Sequence, residues 1–213
     1  MCILDKGTIK VYNNSRKQYA ANSERWGLYM LINEMKRKYT SDEFLAMTDI
    51  EGRYELVSGE IYAMSPAPNI KHQILSKKLL KKIDDYIEDN SGKCIVLSAS
   101  TYVKLNDDDI VQPDIFVVCD PDKLDEQKCN GAPDWVIEIL SPHNSDHDTV
   151  EKLALYQKSG VREYWIVDPM NEKVLVYPFE QAKAVGIFTF TDKITAGIYK
   201  DNPEPLVICI NEL

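Results

Sequence analysis

No apolar run in this 213-residue chain approaches the roughly 20 residues needed to span a bilayer. The N-terminal stretch MCILDKGTIKVYNN also lacks the apolar core of a secretory signal. Both absences argue against a membrane protein or a secreted precursor, and the expected compartment is the cytoplasm. Cysteine is sparse and unclustered. Cys2, Cys94, Cys119, Cys129 and Cys209 are odd in number, widely spaced and free of any C-x-x-C pair, which argues against a zinc or dithiol redox site. Reduced thiols are expected, with Cys94, Cys119 and Cys209 buried in apolar runs as small hydrophobes. Low-complexity tracts and internal repeats are missing too, so a repeat architecture is not expected.

What the chain does contain suits one globular domain with an appendage. Hydrophobic residues make up 44% and charged residues 28%, close to the values of ordinary globular proteins, so a sizeable core can be buried. The net charge of -9 is unfavourable for gripping a polyanion, but it is unevenly spread. Residues 1–39 carry +5 and the remainder -14. Residues 1–38 therefore read as a basic N-terminal extension and 39–213 as the main domain. A basic stripe or a bound divalent cation can reverse the sign locally within an acidic domain.

Along the main domain, Thr40 or Ser41 can cap a short helix DEFLAM. YELVSGEIYAMSP reads as a hairpin turning at Ser58-Gly59. From Lys71 to Ile87, Leu75, Leu79, Ile83, Tyr86 and Ile87 recur at helical spacing, which predicts an amphipathic helix. Lys71, Lys78, Lys81 and Lys82 collect largely on its other side, either as a solvated face or as a row of phosphate contacts. Strands follow at KCIVLSASTYVKL, IVQPDIFVVC and WVIEIL. The aspartates at 107–109 read as a solvated turn, because the regular ligand spacing of a calcium loop is missing. A second helix, capped near Ser145 and stopped by Gly160, precedes strands EYWIVDP and KVLVYPF, and the last 25 or so residues add an edge strand and tail. The core order is helix, three strands, helix, strand.

Glu138 is the anomaly in this pattern. It interrupts Trp135, Val136, Ile137, Ile139 and Leu140, which read as a strand buried on both faces, and a carboxylate removed from water must be paired, protonated or metal-bound. Asp114 heads the preceding apolar strand, PDIFVV. Neighbouring strands lie about 4.8 Å apart, so two acids on one face can share a divalent cation. Hard oxygen donors without a Cys or His cluster favour Mg2+ or Mn2+ over zinc. The alternative is a simple ion pair between Glu138 and a Lys or Arg.

The segments GRYELVSGEIYAMSPAPNIKHQ, VQPDIFVVCDPDKL, GAPDWVIEILSP and EKLALYQKSGVREYWIVDP resemble the Uma-type endonuclease family, a bacterial branch of the restriction-endonuclease-like, PD-(D/E)XK superfamily. The likeness covers roughly residues 39–212. It implies an α/β (α+β) restriction-endonuclease-like core, a central mixed β-sheet flanked by helices, with metal-dependent phosphodiester hydrolysis as its usual chemistry. The motif's acids then fall on Asp114 and Glu138, and a third metal-binding acid on Glu55, with Glu60 as competitor; either could instead pair with Arg53 or a lysine. The superfamily's lysine, two positions after the second acid, is replaced by Leu140. Its role passes to Lys152 in the following helix unless that lysine merely pairs with Asp148.

His72 falls on the apolar face of its helix and points inward. It can contact a scissile phosphate or metal-bound water, or serve as a hydrogen-bonded core histidine, the commoner reading. His143 and His147 have no metal-spacing partner. Tyr156 and Trp165 read as packing residues. The resemblance thus implies a Mg2+-dependent endonuclease acting on double-stranded DNA, with Asp114, Glu138, Lys152, Glu55 and His72 at the catalytic site. Lys71, Lys78, Lys81 and Lys82 would contact DNA, a membrane partner is not expected, and a homodimer is plausible. The rival reading is a nuclease-like domain without cleavage that binds DNA or regulates; a two-carboxylate glycosidase lacks its aromatic cleft.

Overall fold

The computed structural model describes residues 37–47, 52–64, 69–141, 146–181 and 183–213, with side chains in the helix that starts at Asp146 described from Val150 onward. The expectations for residues 1–36, the cap at Ser145, His143, and the side chains of His147 and Asp148 lie outside that description. The chain divides into two compact units. The first takes in the chain up to Met64 together with Asp107–Ile110, and the second comprises Ser65–Asn106 and Val111–Leu213.

In the first unit, helix α1 (Ser41–Leu45) begins at Thr40, whose hydroxyl accepts from the Glu43 amide while the Glu43 carboxylate accepts from the Thr40 amide. This reciprocal arrangement satisfies two of the donors that every helix start leaves open. Strands β1 (Tyr54–Val57) and β2 (Glu60–Ala63) form the expected antiparallel hairpin, with Val57 opposite Glu60. Ser58 and Gly59 both take positive φ, 52° and 76°, as a type I′ turn requires. In the Asp107–Asp109 turn, Asp107 and Asp108 are exposed as expected, but Asp109 is not. Asp109 is buried and its carboxylate accepts from the Ser58 amide at 2.6 Å, so it ties the hairpin turn down instead of facing solvent.

The second unit begins with helix α2 (Ile70–Asp89), capped by the Asn69 side chain, which accepts from the His72 amide. Strands β3 (Ile95–Ser98) and β4 (Tyr102–Lys104) follow, then β5 (Ile115–Val118), β6 (Lys128–Asn130) and β7 (Trp135–Ile139). Helix α3 (Asp146–Ser159) ends where Gly160 adopts φ 92°, as the sequence implied. The chain continues as β8 (Glu163–Asp168), β9 (Lys173–Tyr177), β10 (Gly186–Thr189), β11 (Ile194–Thr195) and β12 (Val207–Ile208). Strand β6, which pairs in parallel with β4, lies between the expected strands IVQPDIFVVC and WVIEIL, where the sequence predicted none.

The principal sheet is six-stranded, in the order β10-β9-β8-β7-β5-β3. Its pairings are antiparallel except for β7 with β8, which run parallel with α3 as the crossover between them. This is the mixed sheet expected. Strand β7 is buried at all five positions, as the apolar residues on either side of Glu138 implied. Leu79, Ile83 and Ile87 of α2 join Ile115, Val117, Trp135, Ile137, Ile139, Trp165 and Val167 in one continuous core. Side chains alternate across a strand, so Glu138 projects to the opposite face, where Tyr156 of α3 packs against Tyr164.

At the sheet edge, β3 and β5 are in register with Ile95 opposite Val118, and the next pair outward is Cys94 and Cys119. These two form a disulfide. The reduced-thiol expectation is therefore wrong for this pair, and the argument from thiols to a reducing compartment goes with it; spacing 25 residues apart gave no sign of a cross-strand contact. Cys209 is free and buried as expected; Cys129, for which no burial was expected, is also free and buried, and burial pushes its thiol up to about 11, which leaves it inert.

Candidate active site

The register of β5 against β7 sets Ile115 opposite Ile137, Phe116 opposite Val136 and Val117 opposite Trp135. One step further, Asp114 stands opposite Glu138. Directly opposed residues share a face, and two like charges there repel unless something bridges or neutralises them. The main chain supplies part of the answer. The Ile139 amide donates to Asp114 Oδ2 at 2.8 Å, and the Asp114 amide lies 3.4 Å from Glu138 Oε2.

Side chains supply the rest. His72 Nε2 lies 3.0 Å from the same Asp114 Oδ2. Burial opposes the imidazolium, but the Asp114 carboxylate, the Ile139 main chain and the charge of Glu138 together outweigh it, so the His72 pKa is raised. Its Nδ1 is buried without a hydrogen-bond partner among the described residues. Lys152 Nζ donates to Glu138 Oε1 at 3.0 Å, and the Tyr156 hydroxyl donates to that oxygen at 2.9 Å. Each acid thus has a basic side chain on it.

Four expected residues therefore come together: Asp114, Glu138, Lys152 and His72. Leu140 carries no charge, and its amide donates to the Val167 carbonyl, so it serves the β7–β8 ladder. Tyr156 is more than packing. It is fully buried, yet its hydroxyl is one of the donors that fix Glu138. The signal was present in the sequence, since Lys152 and Tyr156 are four residues apart on one helix and so share a face. Trp165 is a packing residue as expected, edge-on to Trp135 with centroids 4.9 Å apart.

Glu55 is a buried residue of β1 in the first unit, cross-strand from Tyr62. Glu60 is exposed and pairs with Lys38 at 2.7 Å, the ion-pair alternative weighed for it. Among the described residues, no group of three or more His, Cys, Asp or Glu side chains is arranged to hold a metal. The donor set still suits a hard divalent cation of the Mg2+ kind, which needs only one or two carboxylates and completes its shell with water and substrate phosphate. Asp114 takes both of its carboxylate bonds through Oδ2, so Oδ1 carries none among the described residues and is the atom left for a cation.

The expected lysines all lie on the exposed face of α2. Lys81 is paired with Asp85 at 2.6 Å, and Lys78 donates to a main-chain oxygen of Leu213. The charges of α2 run against its dipole. Its first turn has no acid and its last turn no base, and Lys71 stands at the start while Glu88 and Asp89 stand at the end. Each such placement costs about 0.3–1 kcal/mol relative to the reverse. Two cavities, of about 430 and 330 Å³, lie away from the acids. Arg162, Glu180 and Lys200 help line the first, and Leu153, Tyr177 and Phe179 the second. No described helix is long and apolar enough to cross a membrane.

A family model described as "Uma2: Putative restriction endonuclease" matches residues 41–197. An "Uncharacterized protein slr1290" of Synechocystis sp. (strain ATCC 27184 / PCC 6803 / Kazusa) is 24% identical over 143 residues, 66% of this chain and 74% of that protein. Among solved structures, a nuclease of Anabaena variabilis described as "putative" and assigned to DUF820 superposes with a TM-score of 0.68 at 23% identity, covering 81% of this chain and 96% of that one. That likeness is one of fold.

Proposed function

The chain belongs to the Uma2 family, and on that premise we propose that Asp114 and Glu138 form the centre of a Mg2+-dependent nuclease that hydrolyses phosphodiester bonds in double-stranded DNA. The observation that carries the reading is the register of β5 against β7, which opposes the two acids at the strand ends with Lys152 on one and His72 on the other.

In this reading Asp114, through Oδ1, and Glu138 hold the divalent cation. When bound, it lowers the pKa of an attacking water and neutralises charge on the scissile phosphate. The chain's own residues do the remainder. The Ile139 amide and His72 fix Asp114, and Tyr156 fixes Glu138, so neither carboxylate must reorganise when substrate arrives. Lys152 brings a positive charge to the acid pair from α3, where it can orient the incoming water and offset charge as the phosphorus bond to the sugar oxygen breaks. That is the role Leu140 cannot fill. Glu55 stays outside the proposal. Lys71, Lys78, Lys81 and Lys82 supply the phosphate contacts that an acidic chain otherwise lacks.

The test is cleavage of plasmid DNA in Mg2+ or Mn2+ by the wild type, Asp114→Ala and Glu138→Ala, with folding checked by circular dichroism. Each substitution should lower the rate by roughly a hundredfold or more. Calorimetry should show Mn2+ binding that disappears with Glu138→Ala; metal-dependent cleavage retained in both variants would sink the proposal. Leu140 and the basic side chains already bonded to both acids favour one rival, a binding module without cleavage. DNA binding that never needs metal and survives Glu138→Ala, in a protein that cuts nothing, would select it.

A further inference from the structure

We infer that the solvent face of α2 seats on the DNA duplex, with Ile70 and Ile74 entering a base step while the lysines beside them hold the flanking phosphates. This inference rests on the nuclease reading above and adds how the substrate is engaged and deformed.

Ile70 and Ile74 are 75% and 51% exposed. They lie four residues apart, so they form one apolar ridge on the helix surface. Exposed isoleucines scattered singly need no explanation, but a pair on one stripe flanked by Lys71, Lys77 and Lys78 is a different surface. Lys71, Lys77 and Lys82 have no ion pair among the described residues. His72, on the inward side of the same helical turn, touches Asp114, so the ridge stands about one helix diameter, roughly 10 Å, from the acid pair.

The helix is also polarised. Lys71, Lys77 and Lys78 occupy the half nearer the acid pair, Lys81 and Lys82 stand just past its middle, and Asp84, Asp85, Glu88 and Asp89 follow to its end. Stability alone favours the reverse order. A basic half next to the site is explained by an anionic occupant.

Three occupants are conceivable, and charge and shape favour one. Residues 1–36 are themselves basic, so the lysines repel them. A second copy with its α2 antiparallel would set lysines against acids, but Ile70 and Ile74 would then face Glu88, Asp84 and Asp85, which offer no apolar partner. A nucleic-acid duplex satisfies both halves of the surface. Its phosphates meet the lysines, and branched apolar side chains inserted between base pairs unstack a step and bend the helix axis. Steps that unstack easily, or are already mismatched, should bind best.

The experiment uses the full chain in EDTA with a short labelled duplex, reading anisotropy for affinity and end-to-end energy transfer for bending. Ile70→Ser combined with Ile74→Ser should weaken binding by roughly tenfold or more, remove the bend and leave the salt dependence unchanged. Lys71→Gln combined with Lys77→Gln should make the slope of log K against log salt shallower by about 2. An isoleucine variant that binds and bends DNA like the wild type would overturn the inference. So would a lysine variant with an unaltered slope, or light scattering in which the isoleucine variant turns a dimer into a monomer. Failure of the wild type to bind DNA overturns it as well. The nuclease reading is judged separately, by cleavage that does or does not depend on Asp114 and Glu138.

Discussion

Lys152 and Glu138 form the pair on which the relocated-lysine argument depends, and their coupling is measurable without knowing the substrate. The ammonium lies 3.0 Å from the carboxylate, with 19% and 12% of the two side chains exposed. At that distance and an effective dielectric constant of about 20, the attraction is roughly 5 kcal/mol. Desolvation, several kcal/mol for each ion, offsets most of it. The surplus should be about 1–3 kcal/mol, above the range of 0–1 kcal/mol typical of exposed pairs. Urea unfolding of the wild type, Lys152→Met, Glu138→Gln and the double variant gives this coupling directly. Lys152→Met strands a carboxylate that keeps the Tyr156 hydroxyl, so it should cost roughly 2–4 kcal/mol, a little less than breaking a fully buried pair. The double variant should lose less than the two single losses together, with the m-value unchanged in all four proteins. A coupling below about 0.5 kcal/mol would refute the reasoning. Lys152 would then be an ordinary surface lysine, with no claim to the position that Leu140 leaves uncharged.

Most of the second unit's framework was legible because its signals are local. Leu75, Leu79 and Ile83 announce α2 by their spacing, Gly160 ends α3 by its φ, and the apolar residues on both sides of Glu138 announce a strand buried on both faces. Glu138 itself was legible as a contradiction, an acid where burial demands a partner. Asp114 was legible as its neighbour from strand order alone. The register that sets the two directly opposite was not, because it depends on two strands separated by a 3-10 turn and β6, and no local pattern encodes that pairing. Strand β6 was missed for a related reason: Lys128, Cys129 and Asn130 are poor strand formers in isolation and pair because β4 offers them a ladder. Asp109 was misread because a run of acids looks solvated until a specific amide, that of Ser58, closes on one of them.

Two further expectations concern groups that the sequence undervalued. His72 has a folded pKa above its ordinary 6.5, because Asp114 outweighs the burial that opposes the charge. Its contribution to stability is therefore complete below pH 6.5 and is lost as pH rises through the raised value, so melting temperature should fall over that window in the wild type and hold nearly level in His72→Gln; equal slopes would remove the ion pair from the account. The Cys94–Cys119 bridge closes a loop of 25 residues, for which chain entropy predicts about 3.5 kcal/mol of stabilisation. It joins directly opposed positions of the edge strand β3 and β5, the strand that Asp114 precedes, so its loss should loosen that edge before the buried β7–β8 ladder. Cys94→Ser with Cys119→Ser should therefore lower stability by roughly 2–4 kcal/mol and speed amide exchange in β3 ahead of β7. Titration that finds all five thiols free in protein handled without reductant would show that the strand edge is held by its hydrogen bonds alone.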